Sequence, residues 1–142
     1  MRNTSISFER WMSRFLLAYV VFDLLFVGLA SLVLHFTFRN LLQSFALIFV
    51  CGVIASILTY WTREAYDKPG LCALRLALSF AVYLLLFMST LLVSAARSGL
   101  IPRASIVPDF ISLICPGSAI AAVAVYLSAR SKLKNIHGQG AN

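Results

Sequence analysis

Residues 15–34 read FLLAYVVFDLLFVGLASLVL, and this stretch decides the fold of the chain. It is uncharged except for Asp23 near its middle. A helix of about twenty residues is about 30 Å long, which matches the hydrocarbon core of a bilayer. The stretch therefore predicts a membrane-spanning helix rather than a core helix of a soluble domain.

The composition of the whole chain also indicates that it lies in a membrane. Of its 142 residues, 61% are hydrophobic and 12% are charged, and the mean hydropathy is +0.89. A soluble domain is about 45–50% apolar and about 25% charged. This chain has too few polar groups to cover a water-facing surface, so lipid must solvate much of it.

Three further apolar stretches follow the first. We predict spans at residues 13–34, 41–61, 71–96 and 109–129, and a flexible tail at residues 130–142. The links between spans are short, so we expect two antiparallel hairpins. The predicted fold class is an all-α integral membrane protein, with four transmembrane helices in a single domain.

The basic residues predict the orientation. They favour one side of the membrane by nine to three, and short loops rich in Lys and Arg stay in the cytoplasm. We therefore expect both termini to be cytoplasmic, and the charge asymmetry with short loops indicates a bacterial inner membrane. The nine are Arg2, Arg10, Arg14, Arg63, Lys68, Arg75, Arg130, Lys132 and Lys134, and the three are Arg39, Arg97 and Arg103.

The net charge of +7 does not indicate nucleic-acid binding. A nucleic-acid interface needs its basic residues clustered on one folded, water-facing surface. Here they lie in short segments between apolar spans, which is the pattern of membrane topology. We expect no nucleic-acid partner.

Asp23 is the most informative single residue, because a carboxylate in mid-membrane costs several kcal/mol unless it is paired, protonated or hydrated. Four interpretations stay open. It forms an ion pair with Arg75, which lies near the start of the third span. It is a neutral acid hydrogen-bonded to Ser, Thr or backbone. It binds a proton or a cation during transport, or it contacts a helix of a partner protein.

Two small-residue motifs bear on helix shape and packing. Pro116 and Gly117 interrupt the fourth span, and the missing proline N–H frees the carbonyl of Ser112. We predict a kink there, either as a static bend or as a hinge that exposes carbonyls to an ion. Gly52 and Ser56 form a small-xxx-small pair, which predicts a packing surface for another helix.

No catalytic motif is present. The sequence lacks H-E-x-x-H, G-x-S-x-G and Walker A patterns. Glu64 and Asp67 form an acid pair, but Arg63 and Lys68 flank them, so we interpret them as a solvated turn. The cysteines lack metal-site spacing, and neither histidine has a partner for haem. We expect no enzymatic activity, no cofactor and no metal.

We therefore expect a small non-enzymatic multi-pass protein of the cell inner membrane. It would act through helix–helix contacts as an accessory, regulatory or protective subunit of a membrane system. Its partners would be the bilayer and another membrane protein or a second copy of itself. The alternative is a small oligomeric transporter or channel subunit with Asp23 as the coupling site. A third option is lipid handling by the basic cytoplasmic rim.

Overall fold

A computed structural model describes the backbone of residues 2–33 and 38–139, and the side chains of residues 6–32, 39 and 42–139. Every regular element in these ranges is a helix. In chain order they are α1 (Arg2–Val33), α2 (Phe38–Tyr60), a 3₁₀ turn (Trp61–Ala65), α3 (Pro69–Arg97), a second 3₁₀ turn (Arg103–Ser105), α4 (Ile106–Asp109), a π-helical segment (Phe110–Ile114) and α5 (Cys115–Gln139).

Within the described ranges, four helical stretches are long and apolar enough to cross a membrane, which confirms the predicted number of spans. In their most apolar windows, only 11% to 33% of the residues are buried inside the bundle. Most of these apolar side chains therefore face outward, as in a multi-pass membrane protein. The four stretches are Ile6–Leu32, Leu42–Ala65, Pro69–Arg97 and Arg103–Gln139.

Helix α3 lies at the centre of the bundle, where it packs against α2 and α5. Helix α1 packs against α2 and α5. The buried side chains of α3 recur at three- and four-residue intervals, which is the spacing of one helical face. They are Cys72, Ala73, Leu76, Ala77, Ser79, Phe80, Tyr83, Phe87 and Ala96.

The C-terminal end of the fold differs from our prediction. Residues 130–142 were expected to be a flexible tail, but α5 continues to Gln139, and residues 140–142 lie outside the described part. Val125, Ala129 and Leu133 are buried at four-residue spacing. The inward-facing stripe thus extends beyond the apolar span, and its packing keeps the polar segment helical.

Single residues explain where α3 begins and where it ends. At its start, Pro69 is the first helical residue after the extended Lys68, a position where the missing N–H costs nothing. At its end, Gly99 adopts a positive φ of 75°. The Gly99 N–H donates to the Ala96 carbonyl (3.2 Å) and the Leu100 N–H to the Ala95 carbonyl (3.0 Å), which is a Schellman motif.

The helix type changes directly before Pro116, where we predict a kink. The five residues Phe110–Ile114 are π-helical, and α5 begins at Cys115, directly before the proline. A π turn bonds each N–H to the carbonyl five residues earlier. This wider turn accommodates a proline ring, which would clash with the carbonyl four residues before it in a regular α-helix.

Candidate functional site

Asp23 lies on the inward face of α1, and only 3% of its surface is exposed. Its neighbours one turn away on the same face are the half-buried Tyr19 and the buried Val27. Phe26, three residues after Asp23, is 48% exposed and points outward. The carboxyl group is therefore inside the bundle and away from lipid.

Tyr83 of α3 provides the partner of this carboxyl group. Its hydroxyl donates a hydrogen bond to Asp23 Oδ2, and its side chain is also buried. The ring stacks between Phe80 and Phe87, at centroid distances of 6.4 and 6.1 Å. The stacking fixes the phenol, so the hydrogen bond joins α1 to α3 at a defined position.

A column of aromatic rings leads to this pair from the N-terminal part of α1. Successive ring centroids lie 4.4 to 6.4 Å apart, within the range of favourable aromatic contacts. The column fills the space between α1 and α3 on one side of the carboxyl group. In order, it consists of Phe8, Trp11, Phe15, Tyr19, Phe80 and Tyr83.

The ion pair that we considered between Asp23 and Arg75 is not formed, so that interpretation is wrong. Arg75 Nη1 donates to the Trp61 carbonyl (2.9 Å) and lies 3.8 Å from Glu64 Oε2. Its guanidinium carbon also lies 4.5 Å from the centre of the Trp61 ring. The long side chain reaches toward the end of α2, as snorkelling arginines do, and away from the centre of the span.

A second polar cluster joins α1 to the 3₁₀ turn after α2. Arg63 Nε donates to Glu9 Oε1 at 2.8 Å, and the guanidinium carbon lies 5.2 Å from the centre of the Tyr60 ring. The Tyr66 hydroxyl nearby is buried and has no hydrogen-bond partner in the described part of the chain. Burial, reinforced by the negative charge of Glu9, raises the pKa of Tyr66 to about 12.

Two cavities lie along α2 and α3, and the smaller one reaches Tyr83. The larger, about 400 Å³, lies between the first half of α2 and the second half of α3. Gln43, Ser89, Thr90 and Arg97 contribute polar groups to its wall. The smaller, about 40 Å³, is lined by residues that include Tyr83 and opens between α1 and α2.

Gly52 and Ser56 line that smaller cavity, and no helix of the described chain packs closely on Gly52. Among the described residues, a Cβ placed on Gly52 would have no atom within 4 Å apart from its own helix backbone and its chain neighbours. The Ser56 hydroxyl donates within its own helix, to the Gly52 carbonyl at 2.8 Å. The packing role that we predicted for this pair stays a prediction.

The sequence indicated Asp23 but not its partner. Tyr83 lies within a long apolar span. Its hydroxyl group at mid-span depth was the signal that could have indicated a partner for Asp23. Together the two side chains form a carboxyl–phenol pair that can join two helices or hold a proton. Comparison of the chain with protein-family models, with curated proteins and with solved structures found no match.

Proposed function

We propose that this protein is a small non-enzymatic subunit of a larger system in the cell inner membrane, where it acts through helix–helix contacts in an accessory, regulatory or protective role. The supporting observation is the open space beside two glycines of its spans. At Gly28 and Gly117, no atom of the described residues lies within 4 Å of an added Cβ, apart from the same helix backbone and chain neighbours. Small residues let transmembrane backbones approach closely, so these positions suit a helix of another chain.

The internal contacts of the bundle support this role. The carboxyl group of Asp23 is satisfied by Tyr83, which joins two helices of the same chain. A carboxyl group used in this way stabilises the bundle and is not presented to a partner. The apolar outer faces are then the surfaces available for recognition.

The orientation that we propose has both termini in the cytoplasm and two antiparallel hairpins. It is supported by the distribution of basic residues, nine on the proposed cytoplasmic side and three on the other. Trp11 and Trp61 then lie at the same interface, where indole rings commonly anchor.

The test is co-purification in mild detergent after cross-linking in the native membrane. Gly117→Leu adds bulk at an exposed glycine of α5, and Ala46→Leu adds bulk at an exposed position of α2. We expect Gly117→Leu to lose the cross-linked partner or second copy, and Ala46→Leu to keep it at equal protein level. A wild-type protein that is strictly monomeric, with no cross-linked partner, would contradict the proposal.

A transporter or channel subunit is the second candidate, and one observation favours it. In the described chain, no cation pairs with Asp23, so its carboxyl group is not neutralised by a fixed charge. The test is proton flux into liposomes that contain the purified protein and a pH-sensitive dye. Flux that disappears in Asp23→Asn at unchanged protein level would favour this candidate over the first.

A further inference from the structure

A basic cleft lies between the first third of α1 and the last third of α5. Its volume is about 530 Å³, within the range of about 300–1,000 Å³ that is usual for ligand sites. Two helices that are far apart in sequence supply its walls. The residues that line it are Ile6, Ser7, Arg10, Trp11, Arg14 and Lys132.

The α1 side of this basic cleft is one helical face. Ser7, Arg10, Trp11 and Arg14 follow the spacing i, i+3, i+4, i+7, which places them in a row along the helix. Phe8 and Met12, between them in sequence, are buried in the core. The core therefore fixes the rotation of α1, and this rotation turns both arginines toward α5.

The positive charge of the basic cleft is not neutralised within the described chain. Arg10, Arg14 and Lys132 form no ion pair there, because Glu9 pairs with Arg63 and Glu64 with Arg75. Glu9 is next to Arg10 in sequence, yet it points to the other side of α1. Three cations around one cleft repel one another, and a bound anion relieves that repulsion.

The position of the basic cleft along the helices matches the headgroup layer of a bilayer. The apolar run of α1 begins at residue 15, directly after Arg14, and that of α5 ends near Ala129, before Lys132. Trp11, half-buried against Phe8 and Phe15, lies in the wall at the same level. Indole rings favour this interface, and basic side chains there contact lipid phosphates.

An apolar row continues from the basic cleft toward the membrane centre. Leu17 and Val21 follow Arg14 at three- and seven-residue spacing on the same face of α1, and they are 65% and 46% exposed. A phosphate seated between the cations would thus have its acyl chains beside an exposed apolar surface. A free phosphate or a soluble anion would have no contact with that row.

We propose that the basic cleft binds the phosphate headgroup of an anionic phospholipid, with Arg10, Arg14 and Lys132 holding the phosphate and the Leu17–Val21 face of α1 contacting an acyl chain. The site would attach this end of the bundle to the negatively charged leaflet. It does not depend on the identity of any protein partner.

The test uses the full chain in a non-ionic detergent, with native mass spectrometry to count bound lipid. The probes are phosphatidylglycerol and phosphatidylcholine with the same acyl chains. The cleft variant carries Arg10→Gln, Arg14→Gln and Lys132→Gln. The matched control carries the same charge change outside the cleft, as Lys68→Gln, Arg130→Gln and Lys134→Gln.

We expect wild type and control to retain phosphatidylglycerol in preference to phosphatidylcholine. The cleft variant should bind phosphatidylglycerol about 100-fold more weakly, since each basic residue near an anionic headgroup contributes about fivefold. Equal binding by the cleft variant and the control would overturn the proposal. So would displacement of the lipid by an excess of inorganic phosphate alone, which would assign the cleft to a free anion.

If the triple variant does not fold, the single exposed substitution Lys132→Gln provides the same test. It should weaken phosphatidylglycerol binding about fivefold, whereas Lys134→Gln should leave it unchanged. Equal affinities for these two single variants would also overturn the proposal.

Discussion

The Asp23–Tyr83 hydrogen bond explains how a carboxyl group is accommodated inside a bundle that lipid surrounds. Burying such a group without a partner costs several kcal/mol. The phenol of Tyr83 provides a donor without adding a second charge, and the aromatic rings on either side hold it in place. Among our four interpretations, one had Asp23 as a neutral acid hydrogen-bonded to Ser, Thr or backbone; the structure shows a hydrogen bond inside the bundle, with a tyrosine as the donor.

We predict that Asp23 and Tyr83 are energetically coupled. Asp23→Leu or Tyr83→Phe alone leaves a buried polar group without its partner and should lower the free energy of unfolding by about 1–2 kcal/mol. The double variant should lose less than the sum of the two single losses. Unfolding in mixed micelles with increasing SDS measures all three values, and Tyr60→Phe, at an exposed tyrosine, is the control. Strictly additive losses would show that the hydrogen bond contributes nothing.

We predict that Tyr66 contributes to the alkaline stability profile. Burial raises the pKa of Tyr66 to about 12, whereas an unfolded tyrosine has a pKa of about 10. The folded state therefore keeps the proton where the unfolded state releases it. This contribution is fully present below about pH 10 and is lost as the pH rises toward 12.

Tyr66→Phe should accordingly lose less thermal stability than wild type between pH 10 and pH 12. The measurement is the unfolding temperature in detergent across that range. Both proteins share every other titrating group, so the difference between them reports Tyr66. Identical pH profiles would contradict the raised pKa.

Asp23 could be identified from the sequence, whereas its partner Tyr83 could not. Asp23 was recognisable because a charge within a long apolar run is costly wherever the run is placed. Its partner was not, because partner choice depends on the rotation of α3 about its own axis. The depth of Arg75 permitted an ion pair with Asp23, but Trp61 and Glu64 hold that side chain near the end of α2.

At the scale of elements, Gly99 shows how a helix end can depend on one residue. We predict that Gly99→Ala lowers the free energy of unfolding by about 1 kcal/mol, since a φ of 75° is strained for a residue with a Cβ. Gly28→Ala is the control, because this helical glycine has open space around it. Alanine there should leave stability unchanged or raise it by up to about 1 kcal/mol. Equal effects of the two substitutions in SDS-induced unfolding would count against the Schellman motif.

The sequence predicted the number of long helices but not the full length of α5. The number and approximate centres of the apolar helices followed from run length alone. The extension of α5 to Gln139 was missed because Arg130, Lys132 and Lys134 suggested a solvated tail. The available signal was the stripe Val125, Ala129, Leu133, which continues the inward face through that basic segment.

At the scale of the whole molecule, the distribution of charge predicts how the bundle lies in the membrane. Reporters fused after residue 142 and inserted at residues 98–102 should give opposite results. A fluorescent protein should be active at the C-terminal site, and alkaline phosphatase at the internal site, because the basic side stays in the cytoplasm. Phosphatase activity at the C-terminus would contradict the proposed orientation.

The most direct test asks whether lipid, rather than water, surrounds the four apolar helices. Because most of their apolar side chains face outward, the chain should stay in the membrane pellet after an alkaline carbonate wash and dissolve only with detergent. Size-exclusion chromatography of the detergent extract, followed by removal of the detergent, measures this directly. We predict aggregation on removal. A chain that stayed soluble, helical and monodisperse in plain buffer would contradict the account.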